Sequence, residues 1–180
     1  MKKLLLILLI SSQAFSEKLI HVSEYIDGIN DRVLKNASIV VGDDGRIKSI
    51  SSGFKNSNGY QYFDLRDYMV MPGLMDMHVH FGQQNTSKAD KPEKVEKEYS
   101  AIAAVKHARM TLDGGFTTVR QVGDSGFIAI SLRDAITNGD AIGPRIFAAG
   151  KSLATTGGHA DPTNGRAFGD YVYPDPESGV

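Results

Sequence analysis

Two histidines one residue apart, His78-Val79-His80, are the residues of this chain whose type and spacing most directly suggest chemistry. In an extended strand alternate side chains share a face, so the two imidazoles would point the same way, about 7 Å apart at the Cα level. Such a pair at the C-terminal end of a strand can bind one metal ion. Asp76 falls on the same face one pleat deeper, where a carboxylate can orient a ligand imidazole. On its own the spacing is weak evidence and fits two structural histidines better than a metal pair. The setting favours a metal, because the pair ends an apolar stretch that begins Met71-Pro72-Gly73 and runs straight into Phe81-Gly82. The chain contains no cysteine, so a metal must be held by histidine, carboxylate or a modified side chain.

The elements that must position this pair are read from periodicity. Residues 18–22 alternate weakly, 37–41 are apolar and largely β-branched, and 46–50 resume a period of two after the turn signal Asp43-Asp44-Gly45. With a further short strand over 60–65, residues 17–70 form a β-rich region. From residue 71 the texture changes to α/β. A strand ends at His80, and a helix runs from Pro92 to about Asp113 with an apolar stripe of Ala101, Val105, Ala108 and Leu112. Gly114-Gly115 stops it. A buried strand over 116–122, a helix over 128–137 closed by Asn138-Gly139, and a strand over 145–149 follow. Strand, helix, strand, helix, strand at this spacing predicts βαβ units and a parallel sheet.

The 180 residues, 41% hydrophobic and 23% charged, are those of a globular protein, and the net charge of −1 gives no support for nucleic-acid or membrane-surface binding. Residues 1–16 stand apart. Lys2-Lys3, the apolar run 4–10 and the small residues of Ala14-Phe15-Ser16 have the layout of a bacterial export signal, too short to be a lasting membrane span. Cleavage is expected after Ser16, giving a periplasmic or secreted protein that begins at Glu17 with no stable membrane anchor.

Met71-Pro72-Gly73-Leu74-Met75-Asp76-Met77-His78-Val79-His80 resembles the Pro-Gly-x-x-Asp-x-His-x-His signature of the amidohydrolase superfamily. Gly114-Gly115-Phe116-Thr117-Thr118-Val119-Arg120 and the pair Gly143–Gly150 and Thr156-Gly157-Gly158-His159 resemble the second and third strands of its imidazolonepropionase-like branch, which includes Xaa-Pro dipeptidases. Gln121 departs from the pattern, since many members carry Asp there. The resemblance runs from about residue 18 to the end. It implies a small β-sandwich over 17–70 and, over 71–180, the first three βα units of a (β/α)8 barrel with a metal centre at the strands' C-terminal ends. His78 and His80 are then metal ligands, the metal a divalent ion, zinc above others, in one or two copies. His159, behind two glycines, is the catalytic candidate, acting as a donor to the scissile carbonyl or the substrate carboxylate.

The remaining candidates are weaker. His107 on the first helix and His21 ahead of the β-region read as structural or solvated. Arg120 pairs either with a carboxylate near the site or with a loop acid, and Asp124 flanks the same strand end. Residues 91–98 read as the solvated start of a helix, and Gly42-Asp43-Asp44-Gly45 as a hairpin turn with neither the length nor the spacing of a calcium loop. The family's bridging carboxylated Lys, two further His and an Asp come from later strands. The 180 residues are therefore expected to be part of a protein more than twice as long, inactive by themselves. The expected activity is hydrolysis of amide or peptide C–N bonds in small molecules: Xaa-Pro or other small dipeptides and N-acyl amino acids. Cyclic-amide hydrolysis and a non-catalytic binding module are the alternatives.

Overall fold

The computed structural model describes residues 17–30, 32–83, 97–124, 126–155 and 158–161. The expected export signal, the helix start at Pro92 and residues 156–157 ahead of His159 lie outside them. The chain divides into two compact units at Pro72/Gly73.

The first unit holds four strands, β1 (Lys18–Ile26), β2 (Val33–Val41), β3 (Ile47–Ser52) and β4 (Gln61–Val70), in the sheet order β3-β2-β1-β4. β2 and β3 form the hairpin expected from Asp43-Asp44-Gly45. The Gly42 N–H donates to the Arg46 carbonyl at 2.8 Å, and the Asp44 carboxylate accepts the Arg46 N–H. β1 lies antiparallel to β2, with Ile20 opposite Ile39 and Val22 opposite Ala37, and parallel to β4. Val22, Ala37 and Ile39 are the buried centre of one face, flanked by Ile20, Leu34, Ile50 and Leu65.

Leu19, His21, Ser38 and Val40 are buried on the other face. Over His21 and Ser38 the cover is a loop. The Ser38 hydroxyl donates to the Gly53 carbonyl and accepts the Lys55 N–H, and the Phe54 ring lies 4.8 Å from that of His21. Among the described residues this unit therefore contains one sheet backed by a loop, where a sandwich was expected. His21 is structural, its Nδ1 3.1 Å from the Tyr62 hydroxyl. β4 also runs further than the expected 60–65. Its pairing with β1 slips between Leu65 and Met69, and the Ser23 hydroxyl reaches the Tyr68 carbonyl across the irregularity.

The second unit is α/β. β5 (Leu74–Val79), β6 (Phe116–Gln121) and β7 (Arg145–Ala148) form a parallel sheet in that order, with α1 (Lys97–Asp113) and α2 (Ile128–Asn138) as the crossovers. Phe81, Ala104, Ala108, Val119, Ile128, Leu132 and Ile146 make its core. The buried side of α1 is Ala104 and Ala108, with Ala101 packed beside them, while Val105 is exposed. The expected stripe is thus rotated towards the small residues. They let the helix approach Gly143 so closely that a Cβ there would lie 2.8 Å from that of Ala108. α1 ends at Gly114, whose N–H bonds the Met110 carbonyl, and the Gly139 N–H closes α2 on Ala135 and Ile136.

The strand expected from Met71 starts at Leu74. Pro72 has no N–H to offer a ladder, and Gly73 lies against Thr117, where any Cβ would meet the threonine Cβ at 2.6 Å. Although its sequence is largely apolar, β5 is mostly exposed, because among the described residues it has one strand neighbour, β6, and it carries Met75 and Met77 outward.

Candidate metal centre

The site is built on an irregular strand end. Asp76 pairs with Val119 and Val79 with Gln121, so three steps on β5 span two on β6. The surplus residue is a bulge at Met77-His78, and the Asp76 Oδ1 accepts the His78 backbone N–H across it at 2.9 Å. Asp76 thus serves the backbone of a candidate ligand. The bond to an imidazole expected of it is not made. Beyond the bulge the Val122 N–H donates to the Val79 carbonyl, which returns the chain to β6.

His78 and His80 come together as the sequence suggested. Their Nε2 atoms are 3.2 Å apart and their rings meet edge to face, with centroids 5.2 Å apart. His80 Nδ1 lies 2.7 Å from the Gly123 carbonyl oxygen. A carbonyl only accepts, so Nδ1 carries a proton, and in the neutral ring Nε2 is then the nitrogen whose lone pair faces His78. Two nitrogens bound to one tetrahedral zinc at about 2.0–2.1 Å would be about 3.3 Å apart. The observed separation fits that donor pair, and the carbonyl bond on the far nitrogen is the usual partner of a metal-bound imidazole. Among the described residues no group of three or more His, Cys, Asp or Glu converges on a common point.

Gly123 can deliver its carbonyl because it is glycine. Its φ is 150°, and a Cβ would fall 2.8 Å from the Ser152 Cα. Next to it Gln121, fully buried, makes three bonds: Oε1 accepts the Phe81 N–H at 3.0 Å, and Nε2 donates to the Gly123 carbonyl and the Asp124 Oδ2, each at 3.2 Å. Asp124 is buried too. Its Oδ2 accepts the Ala129 N–H at the start of α2 at 2.7 Å, while Oδ1 has no partner among the described residues. Burial pushes its carboxyl above the ordinary carboxylate value, and the Ala129 N–H and the Gln121 amide pull the other way.

The other candidates are placed apart from the pair. His159 is exposed in a turn closed by the Gly158 N–H on the Thr155 carbonyl and the Asp161 N–H on the Gly158 carbonyl. No hydrogen bond or ring contact joins it to His78 or His80 among the described residues. His107 sits on α1, partly buried, with Nδ1 unpaired. Arg120 is exposed and makes no ion pair among the described residues. Gln121 and Gly123 are the contributors that the pattern of the sequence did not single out. The one available signal was an amide side chain at the end of a strand, at the position where many family members carry Asp.

The amidohydrolase family model matches residues 69–175. Among solved structures, the chain is similar to a Xaa-Pro dipeptidase with methionine bound in its active site, at 61% identity and a TM-score of 0.81, covering 92% of this chain and 41% of that one. It is also similar to a prolidase complexed with N-methylphosphonate-L-proline, at 31% identity and a TM-score of 0.69, covering 88% and 37%. The ochratoxinase of Aspergillus niger is 28% identical over 158 residues, which are 81% of this chain and 31% of that protein. The chain thus spans well under half the length of the relatives it matches. With the matched segment holding the whole second unit's described strands and the paired histidines, the chain belongs to the amidohydrolase family.

Proposed function

We propose that this protein is part of a metal-dependent hydrolase of amide C–N bonds that acts on Xaa-Pro or other small dipeptides and on N-acyl amino acids. The observation that carries the reading is the pair of imidazole nitrogens 3.2 Å apart, with the ring of one of them anchored through its far nitrogen to the Gly123 carbonyl. His78 and His80 would hold a divalent ion, with zinc favoured by an all-nitrogen pair. When bound, that ion supplies Lewis acidity towards an amide carbonyl and a water molecule. His80 keeps its donor nitrogen aimed through Nδ1, and the Asp76 bond sets the backbone from which His78 projects. His159 serves the substrate, its imidazole donating to the charge that develops on the scissile carbonyl or gripping a carboxylate. A dipeptide substrate is supported by the likeness to a Xaa-Pro dipeptidase holding methionine and to a prolidase holding a proline phosphonate.

In this reading residues 17–70 are the small β-region of the family, and residues 71–180 open its (β/α)8 barrel, for which the parallel order β5-β6-β7 is the support. Residues 1–16 are an export signal, supported by Lys2-Lys3, the apolar run and Ala14-Phe15-Ser16. N-terminal sequencing of the exported protein should begin at Glu17, and an uncleaved chain in the cytoplasm would refute the export reading.

The central test is a zinc titration of the complete enzyme that carries this chain and of its His78→Asn and His80→Asn variants, with an Xaa-Pro dipeptide assay alongside. Metal and hydrolysis should be lost together in both variants. Hydrolysis that survives a strong chelator, or zinc binding indifferent to both substitutions, would overturn the reading.

A further inference from the structure

The departure of Gln121 from the family pattern turns out to lie at the centre of the site's support. Its side chain is fully buried, and each of its polar groups is used. We infer that Gln121 is a positioning residue for His80, fixing both the backbone that carries the ring and the carbonyl that sets its tautomer. The inference rests on the metal reading above.

Two arms of the amide do this. Through Oε1 it accepts the N–H of Phe81, the residue after His80, whose own ring is buried in the core of the second unit. On the other side of His80, the Val79 carbonyl takes the Val122 N–H. The chain is therefore tied down immediately before and immediately after the candidate ligand. Through Nε2 the same amide donates to the Gly123 carbonyl, the oxygen that receives His80 Nδ1. A carbonyl oxygen has two lone pairs, so it can take both donors, and the Gln121 bond holds it in place for the imidazole. The second contact of Nε2, to Asp124 Oδ2, ties this group to the start of α2.

The chemistry requires an amide. The position faces one donor, the Phe81 N–H, and two acceptors, the Gly123 carbonyl and Asp124 Oδ2. An amide satisfies both kinds at once. A carboxylate would keep the Phe81 bond but turn an acceptor towards two others, and an apolar side chain would leave a buried N–H unpaired. Groups of this kind behind a ligand imidazole typically alter metal affinity by about 10–100-fold when removed.

The test uses Gln121→Glu, which keeps the acceptor for Phe81 and removes the donor to Gly123, and Gln121→Met, which removes both. His80→Asn is the control. Zinc dissociation constants are measured on each protein, and the 15N imidazole shifts of His80 are recorded on metal-free samples. The unmodified protein should show His80 protonated on Nδ1 alone. Both Gln121 variants should weaken zinc by about 10–100-fold and give a mixture of tautomers. A Gln121→Glu protein with unchanged zinc affinity and a single Nδ1–H tautomer, while His80→Asn loses zinc, overturns this inference and leaves the metal reading standing. Zinc binding unaffected by His80→Asn overturns both. Should neither Gln121 variant fold, the unmodified protein still decides, because His80 protonated on Nε2 contradicts the proposed arrangement.

Discussion

Asp76 Oδ1 accepts the backbone N–H of His78 at 2.9 Å, and this one bond spans the bulge that sets the candidate ligands facing each other. A carboxylate is not needed for it; an acceptor oxygen at that position is. Asp76→Asn, which keeps such an oxygen, should bind zinc nearly as the unmodified protein does. Asp76→Ala should destabilise the fold by about 1 kcal/mol, the usual net value of one such bond, and weaken zinc further than Asn does. Urea denaturation and zinc titration of the two variants check this. Equal zinc affinities in Asn and Ala would mean that the bulge holds its shape without the bond.

His159 is exposed in its turn and bonded to neither imidazole of the pair. In the complete enzyme, His159→Asn should therefore leave zinc content nearly intact and lower dipeptide turnover by up to about 10²-fold, the loss expected when one donor to a developing oxyanion is removed. Metal analysis beside steady-state kinetics decides the matter. Loss of metal as complete as in His78→Asn would place His159 among the ligands.

Asp124 supplies a pH dependence with a definite sign. Burial holds its carboxyl above the ordinary value of 3.8, so the folded state retains its proton at pH values where the unfolded chain has released it. Its contribution to stability is therefore fully present below the unfolded value and is lost as pH rises through the folded one. Metal-free protein should become less stable over that interval, by at most about 1.4 kcal/mol per pH unit for one proton. In Asp124→Asn, whose amide oxygen can still accept the Ala129 N–H, this part of the slope should vanish. Denaturant titrations across the acidic range, with chelator present, measure it.

Gly73 and Thr117 offer a packing test away from the metal. A Cβ on residue 73 would lie 2.0 Å from the Thr117 Oγ1 and 2.6 Å from its Cβ. Gly73→Ala should cost about 1–3 kcal/mol through overpacking, and adding Thr117→Gly should recover part of the loss. A double variant no more stable than Gly73→Ala alone would show that the strain lies elsewhere.

Regular, local features were legible in the sequence. Ala37 to Val41, the Asp43-Asp44-Gly45 turn and the return at Ile47 mark a hairpin because pairing there is between neighbours in sequence. The β-branched strand ending at Gln121 and the glycines after Asp113 and Asn138 were equally clear, since a stop signal acts within one turn. That His78 and His80 meet was legible for a reason only half right. Alternation put them on one face, yet the bulge at Met77-His78 and the Asp76 bond determine how they meet, and neither leaves a trace in a period of two. The side of α1 was misread because Ala104 looks less like core than Val105, until Gly143 is seen pressed against Ala108. Gln121 was read as a mismatch. Its value lies in Phe81 and Gly123, one 40 residues away and the other in a loop whose path no local rule fixes.

The sheet order β3-β2-β1-β4 has a consequence for the protein's synthesis. β1 can pair with β2 once Val41 has been made, but its other edge stays open until Val70 completes β4. At about 5–20 residues per second, the 29 intervening residues take about 1.5–6 s. Throughout that time the nascent chain carries a nine-residue strand, centred on Val22, with one row of hydrogen-bonding groups unpaired. Slow translation between residues 41 and 70 lengthens the exposure and favours association between neighbouring chains on a polysome, whereas the same delay after Val70 finds both edges of β1 already paired.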